Sequence, residues 1–177
     1  MNNQEKYKYA YKLTSVASTG LFFVEDSLAN LMRNVTDFAF LRSFYMLLSY
    51  NFELILKSRI VMTGNFSDKN AINDELRTLG HDIKKIGEKL GKDSLADLGV
   101  KEIGENNQYK ITTTDEKEFY IENFTKIRYD FLDDVMRNVD SEEHDRLKGY
   151  IKILTDVILR KAKKKNEEAK NLLQEPI

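Results

Sequence analysis

The chain has 177 residues, no cysteine, two histidines and one proline, and its 28 Lys and Arg against 29 Asp and Glu leave a formal net charge of −1. That length suits a single domain, residues 1–177, with its own hydrophobic core. The lack of cysteine excludes disulfides and thiolate metal centres, two well-separated histidines make no zinc site, and the balanced charge leaves any nucleic-acid contact to local basic patches. Neither a cofactor nor a metal is expected. The opening "MNNQEKYKYAYK" has no continuous apolar core of the signal-peptide kind, so a cytoplasmic location is expected.

With the proline at position 176 and few glycines, helical periodicity dominates. A first helix is expected over about Glu5–Met32, loosened at "STG" (18–20). Asp37 can cap a second from about Phe38 to Thr63, stopped by Gly64 and Asn65. This second segment is long enough to span a bilayer, but Arg42, Glu53, Lys57 and Arg59 are each costly at membrane depth. Its apolar residues lie nearly all round, Leu54, Leu56 and Val61 as well as Phe40, Leu48 and Ile55, which places it at the centre of a bundle, away from any membrane.

A third helix is expected from near Asp68 or Asn70 to Gly91, with Ile72, Leu76, Leu79, Ile83, Ile86 and Leu90 forming a seam. Gly80, Gly87 and Gly91 share a stripe beside it, which points to a backbone passing close by. The stretch "LGVKEIGENNQYKITTTDEKEFYI" (98–121) alternates in places and carries turn residues at "GENN" and "TDEK", so it reads as a small β-hairpin or ribbon. A fourth helix follows over about Glu122–Asn138. A fifth starts at "DSEE" (140–143), where Asp140 and Glu143 can form a capping box, and runs into a charge-rich tail from about 160 to 177. The fold expected is therefore all-α, an up-and-down bundle of four to five helices with a β-hairpin inserted between the third and fourth.

Three polar features stand out. In "RSFYMLLSYNFELILKSR" (42–59) the only charges between the arginines are Glu53 and Lys57, an i,i+4 pair on an otherwise apolar helix, read as a structural ion pair or as a pocket in which Lys57 meets a phosphate. In "RTLGHDIKKIG" (77–87), His81 lies off the seam, either bonded to a neighbouring helix or lining a pocket. In "RNVDSEEH" (137–144), Arg137 and Asn138 close one helix and His144 sits in the first turn of the next. That gathers a bidentate phosphate ligand, an amide and a titratable imidazole near a helix N-terminus. The acidic spacer of Asp140, Glu142 and Glu143 is expected to raise the His144 pKa.

These stretches resemble the HEPN superfamily (higher eukaryotes and prokaryotes nucleotide-binding), and within it a subgroup of uncharacterised bacterial members that carry Gly-His-Asp. "SYNFELILKSRIV" (49–61) followed by "LRTLGHDIKKI" (76–86) looks like the central-helix Glu-to-Lys pattern and the downstream Gly-His-Asp helix of that subgroup. "KIRYDF" (126–131) looks like its later Arg-Tyr segment. "RNVDSEEH" is similar to the superfamily's motif of arginine, polar residue, spacer and histidine. The resemblance covers about residues 38–160. It implies a homodimer and a metal-independent endoribonuclease of toxin–antitoxin or phage-defence type, with RNA as substrate and an antitoxin or other partner protein. His144 would then be the general acid or base, Arg137 would neutralise the phosphate and Asn138 would orient it. The alternative it implies is a non-catalytic nucleotide-binding or protein-interaction module, with Glu53, Lys57, His81 and Arg128 as the ligand-binding cluster.

Overall fold

The computed structural model describes residues 1–31, 38–105, 108–123 and 141–172. The chain runs α1 (Asn3–Leu31), α2 (Phe38–Thr63), α3 (Lys69–Leu79), α4 (Ile83–Asp97), β1 (Val100–Glu105), β2 (Gln108–Thr113) and β3 (Glu118–Glu122). A final rod follows, made of α5 (Ser141–Lys152), a π-helical stretch (Ile153–Leu159) and α6 (Arg160–Asn171). The structure is mostly helical with one small antiparallel sheet. The fourth helix expected over about Glu122–Asn138 lies almost wholly outside the described residues; Glu122 itself closes β3. Among the described residues, no helix is long and apolar enough to cross a membrane.

α2 is the central rod, as its all-round apolarity predicts. Every residue from Asn51 to Met62 is buried. α1 lies antiparallel along it: the Lys6 ammonium donates to the Gly64 carbonyl at 2.6 Å near one end, and Gly20 meets the Asn51 amide further along. α1 is continuous through "STG". Gly20 is not a weak point there; a Cβ at this position would come within 2.8 Å of Asn51 Cγ, so glycine is what lets the two helices approach. α6 packs against both. Asn3 donates to the Ala169 carbonyl at 2.8 Å, and the buried Arg59 on α2 donates to Asn166 Oδ1 at 2.9 Å. In the π-helical stretch the wider turn brings Leu154, Ile158 and Leu159 all inward.

The expected third helix is two. Asp68 caps α3, accepting from Asn70 and Ala71 N–H at 2.8 and 3.0 Å. The helix stops at Gly80, whose φ of 60° and ψ of −136° leave helical space, and Asp82 starts α4 by accepting from Lys85 N–H at 3.1 Å. The apolar seam survives because the break preserves its phase: Ile72 and Leu79 before it, and Ile83, Ile86 and Leu90 after it, are all buried. The glycine stripe has a different cause from the one expected. At Gly80 and Gly91 (φ 78°) an added Cβ would meet nothing within 4 Å, so these two serve backbone conformation. Only Gly87 marks a close approach, to Ile103 Cδ1 at 2.7 Å.

The stretch after α4 is a three-stranded meander in the order β1-β2-β3, not a two-stranded hairpin. Its two turn signals join three strands, and because the expected third helix is two, the sheet follows the fourth helix. Tyr109, Ile111, Phe119 and Ile121 alternate inward and are buried. Phe119 meets Phe52 of α2 and Tyr150 of α5, each at 5.9 Å between ring centres. The sheet thus closes one side of the core.

Candidate functional site

The break between α3 and α4 faces α2, and there Glu53, Lys57 and His81 come together. The Lys57 ammonium lies 2.7 Å from Glu53 Oε1 and donates to the Gly80 carbonyl, also at 2.7 Å. Glu53 Oε2 is 3.0 Å from His81 Nδ1. A carboxylate only accepts, so it holds the imidazole proton on Nδ1. The side chains of Glu53 and Lys57 are 5% and 10% exposed, whereas that of His81 is 50% exposed. Lys57 is therefore occupied in neutralising a buried carboxylate and satisfying the last carbonyl of a broken helix. Its ammonium is thus already engaged by the Glu53 carboxylate and the Gly80 carbonyl.

Next to this cluster, Tyr109 of β2 donates to Asp82 Oδ1 at 3.3 Å, and burial together with the Asp82 charge pushes its phenol pKa up. Asp82 thereby ties the sheet to the α4 cap. The fourth residue of this set, Arg128, lies outside the described residues.

The second set is divided. Arg137 and Asn138 lie outside the described residues, and His144 stands in the first turn of α5. Its side chain is 12% exposed, and Nδ1 is 3.7 Å from Asp145 Oδ1. Nε2 is buried and has no hydrogen-bond partner among the described residues. The His144 pKa is lowered, by burial first and by the Lys148 charge second, against a smaller opposing effect of Asp145. This reverses the expectation drawn from the acidic spacer. Two of those acids are engaged elsewhere: Glu143 accepts from the Tyr45 hydroxyl and from Arg146 Nη1, and Arg146 Nη2 reaches Glu142 at 3.2 Å. Arg146 neutralises Glu142 and Glu143 from one turn ahead, and Tyr45 moors Glu143 to α2.

Tyr45, Arg146 and Lys148 were not singled out in the sequence. The i,i+3 spacing of Glu143 and Arg146 and the i,i+4 spacing of His144 and Lys148 are the signals that could have found two of them. The outer face of the sheet forms a shallow depression whose cations are already paired, Lys101 with Glu116 and Lys110 with Glu118, each at 2.6 Å.

Comparisons of the chain with family models, with curated proteins and with solved structures return no match.

Proposed function

We propose that the protein is a HEPN-like, metal-independent endoribonuclease that works as a homodimer, with His144, Arg137 and Asn138 as its reacting centre. The observation that carries this reading is the His144 imidazole, covered on most sides, lowered in pKa and without a hydrogen-bond partner at Nε2 among the described residues. Buried polar atoms are nearly always paired, and an unpaired one costs about 1–3 kcal/mol. A neutral imidazole with a vacant nitrogen is what a general base at neutral pH requires.

In the proposed step, RNA displaces the cover over the buried Nε2, which takes the proton of the 2′-hydroxyl as that oxygen bonds to phosphorus. The bond from phosphorus to the 5′-oxygen breaks, and the proton passes to the leaving oxygen. A 2′,3′-cyclic phosphate and a free 5′-hydroxyl result. The Arg137 guanidinium would neutralise the charge gathering on the non-bridging oxygens, and Asn138 would orient the phosphate. A role in toxin–antitoxin or phage-defence systems, with a partner protein that restrains cleavage, belongs to the same reading.

The test is incubation of the purified chain with mixed cellular RNA in chelator. Cleavage by the wild type that is lost in both His144→Ala and Arg137→Ala, with circular dichroism unchanged, supports the proposal. Intact RNA, or undiminished cleavage by His144→Ala, overturns it.

A further inference from the structure

α1 buries one side and leaves the other to solvent, and the exposed side is unusual in composition. Phe22 and Phe23 are 69% and 60% exposed, and Val16 is 52% exposed. Surface phenylalanines scattered singly need no explanation, but two side by side, with a valine two turns of helix before them, form a patch. Together these three side chains offer on the order of 300 Å² of apolar surface to water.

The charges nearest the patch are sorted along the helix, with the exposed Glu5 lying about one turn further out. Lys8 and Lys12 precede it and Glu25 and Asp26 follow it, all exposed. A polyanion or an anionic membrane would meet repulsion at the acidic end, and an acidic helix would gain only at the basic end. A second copy of α1 running antiparallel satisfies both ends at once. With the twofold axis at Thr19, the outermost point of this face, Lys12 lies opposite Asp26 of the second copy and Val16 opposite its Phe22. The small Ser15 then lies opposite Phe23 of the second copy, which gives its ring space. A parallel pairing would set lysine against lysine.

We infer that the exposed face of α1 is a self-complementary dimer surface, through which two copies of this chain pack antiparallel about Thr19. It gives a surface to the homodimer that the proposed function invokes, but it is argued from the apolar patch and the charge order, so a dimer that leaves RNA intact still supports it. The patch supplies the desolvated centre of such an interface and the charged ends its rim. A standard interface buries about 800 Å² per partner, so flanking residues such as the half-exposed Tyr50 of α2, next to the Asn51 that meets Gly20, would complete it.

The experiment is sedimentation equilibrium on the full chain across micromolar concentrations. The wild type is expected to be dimeric. Phe22→Ser with Phe23→Ser is expected to be monomeric, with circular dichroism unchanged because both side chains already lie in solvent. Lys12→Glu alone is expected to weaken the dimer about tenfold, since symmetry counts the pair twice, and Lys12→Glu with Asp26→Lys is expected to restore it. A monomeric wild type, including one that pelleted with anionic vesicles, overturns the inference. A dimer indifferent to the phenylalanine pair, or a charge exchange that fails to restore association, overturns it equally.

Discussion

Replacing Lys57 by Met tests whether the polar cluster at the α3–α4 break holds the fold together. The substitution keeps the aliphatic stem and removes the ammonium. Glu53, 5% exposed, then loses the partner at 2.7 Å and, among the described residues, keeps His81 at 3.0 Å. The Gly80 carbonyl loses its 2.7 Å donor at the same time. Breaking a buried pair from one side costs about 3–5 kcal/mol, because the remaining charge has nowhere to go. The 10% exposure of the Lys57 side chain admits some water, so the lower end of that range, about 3 kcal/mol, is expected. Removing both charges in Glu53→Leu with Lys57→Met spares the orphaned carboxylate and leaves mainly the unpaired Gly80 carbonyl. The double variant should therefore be more stable than the sum of the single losses by about 2 kcal/mol. Urea unfolding of the four proteins, with equal m-values, measures this coupling. A coupling below about 0.5 kcal/mol would show that the pair is no more than a surface ion pair and would refute the reasoning.

Further expectations concern single sites. Gly20→Ala, which in an exposed helix gains about 1 kcal/mol, should here destabilise by about 1–3 kcal/mol, since the new methyl displaces an Asn51 amide that is 1% exposed and donates to the Leu47 carbonyl; thermal unfolding measures it. Asp82→Ala removes the α4 cap and the acceptor for Tyr109 together, and a loss of about 1–2 kcal/mol in urea titration is expected. For His144, the folded imidazole holds its proton less tightly than the unfolded one, so the unfolded state takes up a proton first as pH falls. Its contribution to stability is therefore full above about pH 6.5 and declines as pH falls below that value. His144→Gln should lack this decline, and the His144 ring resonances should titrate below the ordinary histidine range in NMR.

The central helix was legible because burial leaves a direct trace: α2 is apolar on all faces, and its stop at Gly64 is written in the sequence. The α3–α4 break was hidden because it preserves the phase of the apolar seam. Periodicity reports which side is buried and says nothing of continuity. The signal was in "LGHD", where a glycine able to leave helical space is followed two residues later by an aspartate suited to capping, the stop-and-start pair of two helices. The three-stranded sheet was likewise present as two turn signals, each of which ends a strand.

Of the candidate residues, Glu53, Lys57 and His81 meet, as their placement on facing helices suggests, but the direction of the Lys57 ammonium depends on the Gly80 carbonyl that only the break exposes. The His144 pKa was misjudged because sequence counts neighbouring charges and cannot see burial. Here burial outweighs Asp145, while Arg146 and Tyr45 engage the spacer acids.

The central claim, cleavage through the 2′-hydroxyl with His144 as the proton carrier, is tested most directly by the ends of the product. Mass spectrometry of a short RNA cut by the purified chain in chelator should show a 2′,3′-cyclic phosphate on one fragment and a 5′-hydroxyl on the other, and neither with His144→Ala. Fragments bearing a 5′-phosphate, or the same cyclic ends produced at the wild-type rate by His144→Ala, would contradict it.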